Sequence, residues 1–573
     1  MKNDKKPLPL NSGVSRTHGP AIRTTCFARL LPLLVLLTLP ATVQAQFTFT
    51  TNNGALTVTG YTGTNAEMVI PETTNGLPVT NIEASAFRSK TNIARVMIPN
   101  SVSNIGWGAF YNCTSLTSIT IPNSVITIGD AAFYRCTSLT NAEVGNSVTN
   151  IGSNAFQYCS SLSNLVIGNS ATSIGDSAFG SCSGLTGVTI PDNVTNIGKF
   201  AFYDCLNMTN FTIGNNVSSI GSAGLEYCSS LTTLTIPASV TSIGVRAVFG
   251  CTSLSGITVD ALNPFYKSVD GVLFNKNQTT LIQFPARKAG NYAITNSVTS
   301  ISEGAFYNCF GLTTMTIPNS VTSLGASAFA HCWNLQNLTL PTNLARIPQE
   351  AFFDCASLTS ITIPDSVTDI GSRAFSDCRN LTSLAIGDSV SDIASYAFQY
   401  CTSLASVTIP ASLTGYGDYR YGDYRYDGPF SVLYDRGIWN DAFYYCPNLT
   451  SFYFKGNAPG WSASQSVLSS AIGAVVYYLP GTTGWGPTFR HLPTVLWNPH
   501  VQTSDANFGV RANRFGFNIT GTANIPLVVE ASTNSANPVW VPLQTCALTN
   551  GSIYFSDPAW TNYPARFYRL RSP

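Results

Sequence analysis

The sequence predicts an elongated solenoid of about fifteen 23-residue repeats, with a parallel β ladder, β-rich caps and a small C-terminal β-sandwich-like module. Three observations predict it. Cys113, Cys136, Cys159, Cys182, Cys205, Cys228 and Cys251 stand 23 residues apart, and Cys309, Cys332, Cys355, Cys378 and Cys401 resume the step. The Phe of an Ala-Phe pair keeps the same beat from Phe110 to Phe202 and from Phe306 to Phe398, as does an Ile before Gly from Ile105 to Ile220. Charged residues are 10% of the 573-residue chain and hydrophobic ones 44%, so the repeat buries apolar columns beneath a surface of Ser, Thr, Asn and Gly. A 23-residue unit is too short for a propeller blade or a two-helix repeat and fits one turn of a coil.

Within a repeat, Thr117-Ser-Ile-Thr-Ile121 alternates hydroxyl and aliphatic side chains, which places Ile119 and Ile121 on one face of a strand and Ser118 and Thr120 on the other. Pro122 removes a ladder donor and ends the strand. A weaker extended stretch, Val125 to Ile128, leads to Gly129, where the backbone is free to bend. Ala131-Ala-Phe-Tyr-Arg-Cys136 reads either as one helical turn or as a tight loop. Stacked repeats join continuous columns of Leu, Ile, Val, Phe and Cys at ~4.8 Å per step.

The pattern Leu-x-x-Ile-x-Ile-Pro-x-x-Val-x-x-Ile-Gly-x-x-Ala-Phe-x-x-Cys resembles the BspA-type leucine-rich repeat of bacterial surface proteins, from Thr80 to Gly456. The resemblance implies a right-handed solenoid of leucine-rich repeats on a secreted or surface-exposed protein, serving adhesion to host or matrix partners and carrying no catalysis.

In chain order, residues 1–45 read as an export signal. Lys2, Lys5, Lys6, Arg16, Arg23 and Arg29 precede the apolar run Leu30–Leu39, and small residues end at Ala45. The competing readings are a membrane anchor, for which the run is short, and a shorter signal beginning downstream of Met1. Residues 46–80 alternate strongly and suit a β cap, because a first rung left bare would expose core and a strand edge. The solenoid itself spans 81–455. Its first repeat keeps Ala86-Phe87 but has Lys90 in the cysteine position, as a terminal repeat allows.

Two insertions break the period. From Cys251 to Cys309 the spacing is 58, and the segment near 260–290 holds Asp270-Gly271, a hairpin signal between apolar runs that reads as a protruding hairpin on a modified rung. From Cys401 to Cys446 it is 45, and the segment near 415–437 holds the duplication Gly-Asp-Tyr-Arg-Tyr. Tyr419, Arg420, Tyr421, Tyr424, Arg425 and Tyr426 form a candidate binding loop, since Tyr and Arg anchor interfaces well; a slipped, purely structural duplication is the rival reading. Residues 456–499, rich in Gly, Pro and Trp, read as a C-terminal cap or linker. Residues 500–573 predict strands at 515–519, 527–531, 540–543 and 567–570 of the small β module.

Fifteen cysteines in an exported chain raise the prospect of disulfides. One cysteine per rung on a single line is better served by buried free thiols acting as small apolar groups, with adjacent-rung disulfides the alternative. The mature chain's His331, His491 and His500 lack ligand spacing, and His331 is expected to face solvent. The sequence calls for no cofactor and no metal, and shows none of the nucleophile-elbow, phosphate-loop or zinc motifs that would mark an enzyme. A net charge of +1 argues against nucleic acid, and no span crosses a membrane in the mature chain.

The leading expectation is a binding or adhesion scaffold for extracellular protein or polysaccharide. Its candidate surface is the outward strand-face ladder of Thr120, Thr189, Thr212, Thr235, Thr316, Thr339, Thr362 and Thr408, flanked by a second column of Ser, Thr and Asn. A soluble face that merely favours strand-forming Thr is the bland alternative. The other expectations are a structural component of the cell envelope and a carbohydrate-binding or sorting role in the C-terminal module.

Overall fold

A computed structural model describes residues 46–414, 416–417, 437–439, 441–460, 468, 471, 473–536 and 538–572. Phe47 to Pro573 form one compact unit, a parallel β-solenoid of about 17 turns of ~23 residues with nearly no helix.

Each rung contributes to two ladders. In the first, Ser118–Thr120, Asn141–Glu143 and Asn164–Val166 pair in parallel with Thr120 opposite Glu143 and Glu143 opposite Val166. In the second, two-residue strands such as Thr127–Ile128 and Asn150–Ile151 stack in parallel. The first ladder needs more than its backbone bonds: the hydroxyls of Thr117, Thr140 and Ser163 each donate to the carbonyl 23 residues earlier, at 3.0–3.2 Å. That use explains why Thr and Ser recur at these positions.

Between the ladders lies the core. Ile119, Val125, Ile128, Ala132, Phe133, Cys136 and Leu139 are 0–1% exposed. Phe rings stack rung on rung, with centroids 4.9–5.3 Å apart from Phe87 to Phe202 and 4.5–5.5 Å apart from Phe284 to Phe443. The cysteines from Cys113 to Cys446 are buried free thiols. Cys136 Sγ donates to the Phe110 carbonyl at 3.2 Å, and Cys159 Sγ to that of Phe133 at the same distance. Burial pushes the Cys113 and Cys332 thiols up to about 12, so they are neutral donors.

The Ala131–Cys136 stretch is the tight loop of the two sequence readings, not a helical turn. Ala131 and Arg135 adopt left-handed backbone, φ 54° and 58°. Alternate amides of this loop donate forward to the next rung, Ala131 to Ser153, Phe133 to Ala155 and Arg135 to Gln157, at 2.7–2.9 Å. Gly129 serves a different purpose from the free bend expected of it. A Cβ there would sit 2.7 Å from the carbonyl carbon of Gly106, so glycine lets successive rungs approach.

At the start, Phe47–Asn52 and Ala55–Tyr61 form an antiparallel pair, and the second of these pairs in parallel with Leu77–Ile82 to begin the second ladder. Phe47 and Tyr61 lie 6.4 and 6.2 Å from Phe87 and close the Phe column. In the middle, Tyr266–Val269 and Val272–Asn275 are the hairpin expected around Asp270-Gly271, but it does not simply protrude. Val272, Leu273 and Phe274 are buried at 0–1%, because the returning strand pairs with Thr280–Gln283, which rejoins the second ladder at Ser300–Ile301. The apolar run after the turn has a core to fill, and the hairpin is sewn into the array by it.

At the far end, Ser451–Phe454, Val475–Tyr478 and Leu492–Leu496 extend the first ladder. Two antiparallel sheets follow. One contains His500–Gln502, Gly509–Arg511, Arg514–Thr520 and Ser552–Asp557, and the other Val541–Ala547, Pro526–Ser532 and Phe567–Arg571. Phe517, Ile519 and Phe555 meet Leu527 and Val529 between them. The strand Ser552–Asp557, absent from the predicted strands, reads Ser-Ile-Tyr-Phe-Ser-Asp, and its consecutive Ile, Tyr and Phe lack the alternation that marks a strand.

Candidate binding surfaces

The strand face is built by register. Because each rung repeats the last without slippage, side chains of one type line up: Thr189 opposite Thr212, Thr235 opposite Thr258, Thr316 opposite Thr339. Thr120, Thr189, Thr212, Thr235, Thr316, Thr339 and Thr362 are all exposed. Glu143, Val166 and Ala385 interrupt the column, and Met97 and Val166, 61% and 52% exposed, add apolar points near its start. Two shallow concavities mark this face, one between Arg95 and Val166 and one between Leu338 and Ser366.

Thr408 differs from its column. It is half-buried, and its hydroxyl shares a 2.8 Å hydrogen bond with that of Ser572. In the next two rungs the column becomes Tyr453 and Tyr477, stacked at 4.8 Å and nearly buried against Phe517, Ile519, Leu527 and Val529 of the C-terminal module. Trp497 Nε1 donates to the Pro526 carbonyl at 2.9 Å. The module therefore sits on the strand face of the last rungs. The signal for this was present in the sequence as the change from Thr to Tyr at one repeat position.

The Tyr/Arg loop, Tyr419, Arg420, Tyr421, Tyr424, Arg425 and Tyr426, lies outside the described residues, as does the 1–45 leader. His331, expected to face solvent, is half-buried and paired. Its ring Nδ1 lies 2.9 Å from Asp354 Oδ2 and its edges meet Tyr307 and Phe353. Trp333 Nε1 donates to the same carboxylate oxygen at 2.6 Å. Equivalent loop positions on adjacent rungs lie side by side, and the 23-residue spacing of His331 and Asp354 was the available signal. Among the described residues no group of three His, Cys, Asp or Glu is placed to hold a metal, and no helix is long and apolar enough to cross a membrane.

This geometry defines a leucine-rich repeat solenoid. A family model described as the BspA type leucine rich repeat region (6 copies) matches residues 80–198, 149–281, 283–405 and 322–450, and the chain belongs to that family. Among solved structures, it is similar to a leucine rich cell surface protein of Faecalibacterium prausnitzii A2-165, with 33% identity, 63% of this chain and 92% of that one covered, and a TM-score of 0.55. It also shares its fold with the pneumococcal vaccine antigen PcpA, at 21% identity, 75% and 96% coverage and a TM-score of 0.50. A search of curated proteins found no match.

Proposed function

We propose that the chain is an exported, non-catalytic adhesion scaffold that presents its strand face to extracellular protein or polysaccharide partners. The observation that carries this reading is the set of in-register exposed Thr pairs, Thr189 with Thr212, Thr235 with Thr258 and Thr316 with Thr339, beside Asn and Ser of the neighbouring column. A rigid row of small donors and acceptors at strand spacing suits a repetitive partner held by many weak contacts. Membership of a family of bacterial surface proteins supports the setting, and the basic-then-apolar leader supports export.

The test is a glycan and extracellular-matrix array probed with the purified chain and with two double variants on alternate rungs, where the new carboxylates are not neighbours, Thr189→Glu/Thr235→Glu and Thr316→Glu/Thr362→Glu. These exposed sites tolerate the change, so the melting temperature should stay within a few degrees while the leading array signals fall by about tenfold or more. Full binding by both variants, with binding lost on deletion of 417–427, would transfer recognition to the Tyr/Arg loop, the second reading that its duplicated sequence favours.

A further inference from the structure

The loops of the first four rungs carry a continuous run of rings and guanidinium groups. Tyr111 and Tyr134 stack with centroids 4.8 Å apart, and Tyr158 meets Tyr134 edge-on at 5.5 Å. The Arg88 guanidinium lies over Tyr111 at 4.3 Å and over Trp107 at 5.7 Å, and that of Arg135 lies 5.6 and 5.4 Å from the centroids of Tyr134 and Tyr158. The repeat places them so. Arg88, Tyr111 and Tyr134 each follow the core Phe of their rung, and Arg135 and Tyr158 take the next position, where the backbone is left-handed at φ 58° and 62°.

Elsewhere on this face a cation finds a carboxylate. Arg246 lies 2.5 Å from Glu226, His331 2.9 Å from Asp354, Arg373 3.7 Å from Glu350 and Arg379 2.9 Å from Asp377. Arg88 and Arg135 depart from that rule. Both are exposed, and neither lies within ion-pair distance of a carboxylate among the described residues. The acids of these loops, Glu83 and Asp130, stand at the loop starts, and Asp130 Oδ1 accepts from the Ser153 amide at 2.7 Å. Stacking on a ring fixes the plane of a guanidinium while leaving its N–H edge without a protein partner. The two cations are two rungs apart, about 10 Å at strand spacing. Trp107, 48% exposed, is the one ring of the run with no ring partner among the described residues.

We propose that these rungs bind a polyuronate, an extended polysaccharide whose carboxylates rest on the N–H edges of Arg88 and Arg135 while one sugar face lies on Trp107. A planar carboxylate matches the planar fork of a guanidinium already held flat on a ring. The faces of Tyr111 and Tyr134 are taken up by each other and by the arginines, so a nucleic-acid strand finds one platform where its binding proteins stack several bases. An acidic peptide satisfies the charge but has no sugar face for Trp107. The site lies on the loop face at the start of the array, so the inference stands apart from the strand-face reading.

The experiment measures fluorescence anisotropy of labelled hexagalacturonate against the whole chain, beside labelled neutral galactohexaose, a sulfated dextran hexamer, hexaglutamate and a short oligothymidylate. Hexagalacturonate should bind more tightly than any of these, and more weakly as salt rises. Arg88→Gln/Arg135→Gln should weaken it about tenfold or more with melting unchanged. Arg88→Lys/Arg135→Lys should weaken it about threefold or more, because an ammonium keeps the charge and loses the fork. Arg287→Gln/Arg346→Gln, exposed and remote, should leave affinity intact. If the double Gln variant melts early, the double Lys variant replaces it. No binding of hexagalacturonate, equal loss in both Gln pairs, no loss in either, full affinity in the Lys variant, or tighter binding of any comparison ligand would each overturn the inference.

Discussion

At the rung cysteines other than Cys309 the thiol donates to a buried carbonyl of an earlier rung, a bond available to the neutral sulfhydryl and not to the thiolate. Burial accordingly pushes Cys113, Cys251, Cys332 and Cys446 up to about 12 from an ordinary value of 9.0. A group whose folded pKa is raised contributes its full stability below the unfolded value and loses it as pH climbs toward the folded one. Stability should therefore hold to about pH 9 and fall steeply between there and about 12. Tyr292, also raised to about 12 by burial, adds in the same sense. Denaturant unfolding across this range checks it, with Cys332→Ala/Cys355→Ala as the comparison. That pair should cost about 1 kcal/mol per site at neutral pH and flatten the alkaline decline, and an unchanged slope would acquit the thiols. The column was legible in the sequence because a fixed spacing of one residue type implies a line in space. The partner of the thiol was not, since the acceptor is a main-chain carbonyl of an earlier rung that any residue supplies.

The rung is the unit of packing, and its strongest contact is the Phe stack. Phe156 lies between Phe133 and Phe179, 4.9 and 5.3 Å away, and is fully buried. Phe156→Ala should cost about 3–5 kcal/mol as a core truncation. In a linear array that cost falls on one interface, so the repeats before and after it should begin to melt separately. Calorimetry should show the wild-type transition broadening or splitting in the variant; one sharp transition at the original temperature would mean that the Phe column does not couple the rungs. Strands and period were readable from alternation and spacing, whereas the loop conformation was not. Its left-handed positions carry Ala131, Arg135, Tyr158, Phe200 and His331, and none of these announces positive φ as glycine would. Forward hydrogen bonds from neighbouring rungs impose the conformation, and they exist only once the array is stacked. The bridge at Arg246 was hidden for a related reason: Glu226 and Glu303, which both reach its guanidinium, are far apart in sequence.

Over the whole molecule, the decisive contact is between the solenoid's last rungs and the C-terminal module. Tyr453 and Tyr477 occupy the column that carries Thr elsewhere, and they are buried because two sheets of the module cover them. Aromatic side chains bury about 150–250 Å² each, worth about 25 cal/mol per Å², so exposing this pair is costly. A chain ending at Pro499 would present Tyr453, Tyr477 and Trp497 as a contiguous apolar patch on a strand face. Such a truncation should bind a hydrophobic dye, self-associate on size exclusion and melt earlier than the whole chain. Adding Tyr453→Ser and Tyr477→Ser to the truncated chain should restore the monomer, because it returns the column to hydroxyls like those of Thr339 and Thr362. Persistent self-association in that variant would place the cause in an uncovered strand edge, and a truncated chain that is monomeric and as stable as the whole would mean that the module rests on the solenoid without stabilising it. The outcome bears directly on the proposed role in adhesion. Where the module is an integral cover, loss of binding on truncation reports a damaged scaffold, and only point variants on the exposed Thr column distinguish recognition by the strand face from support by its far end.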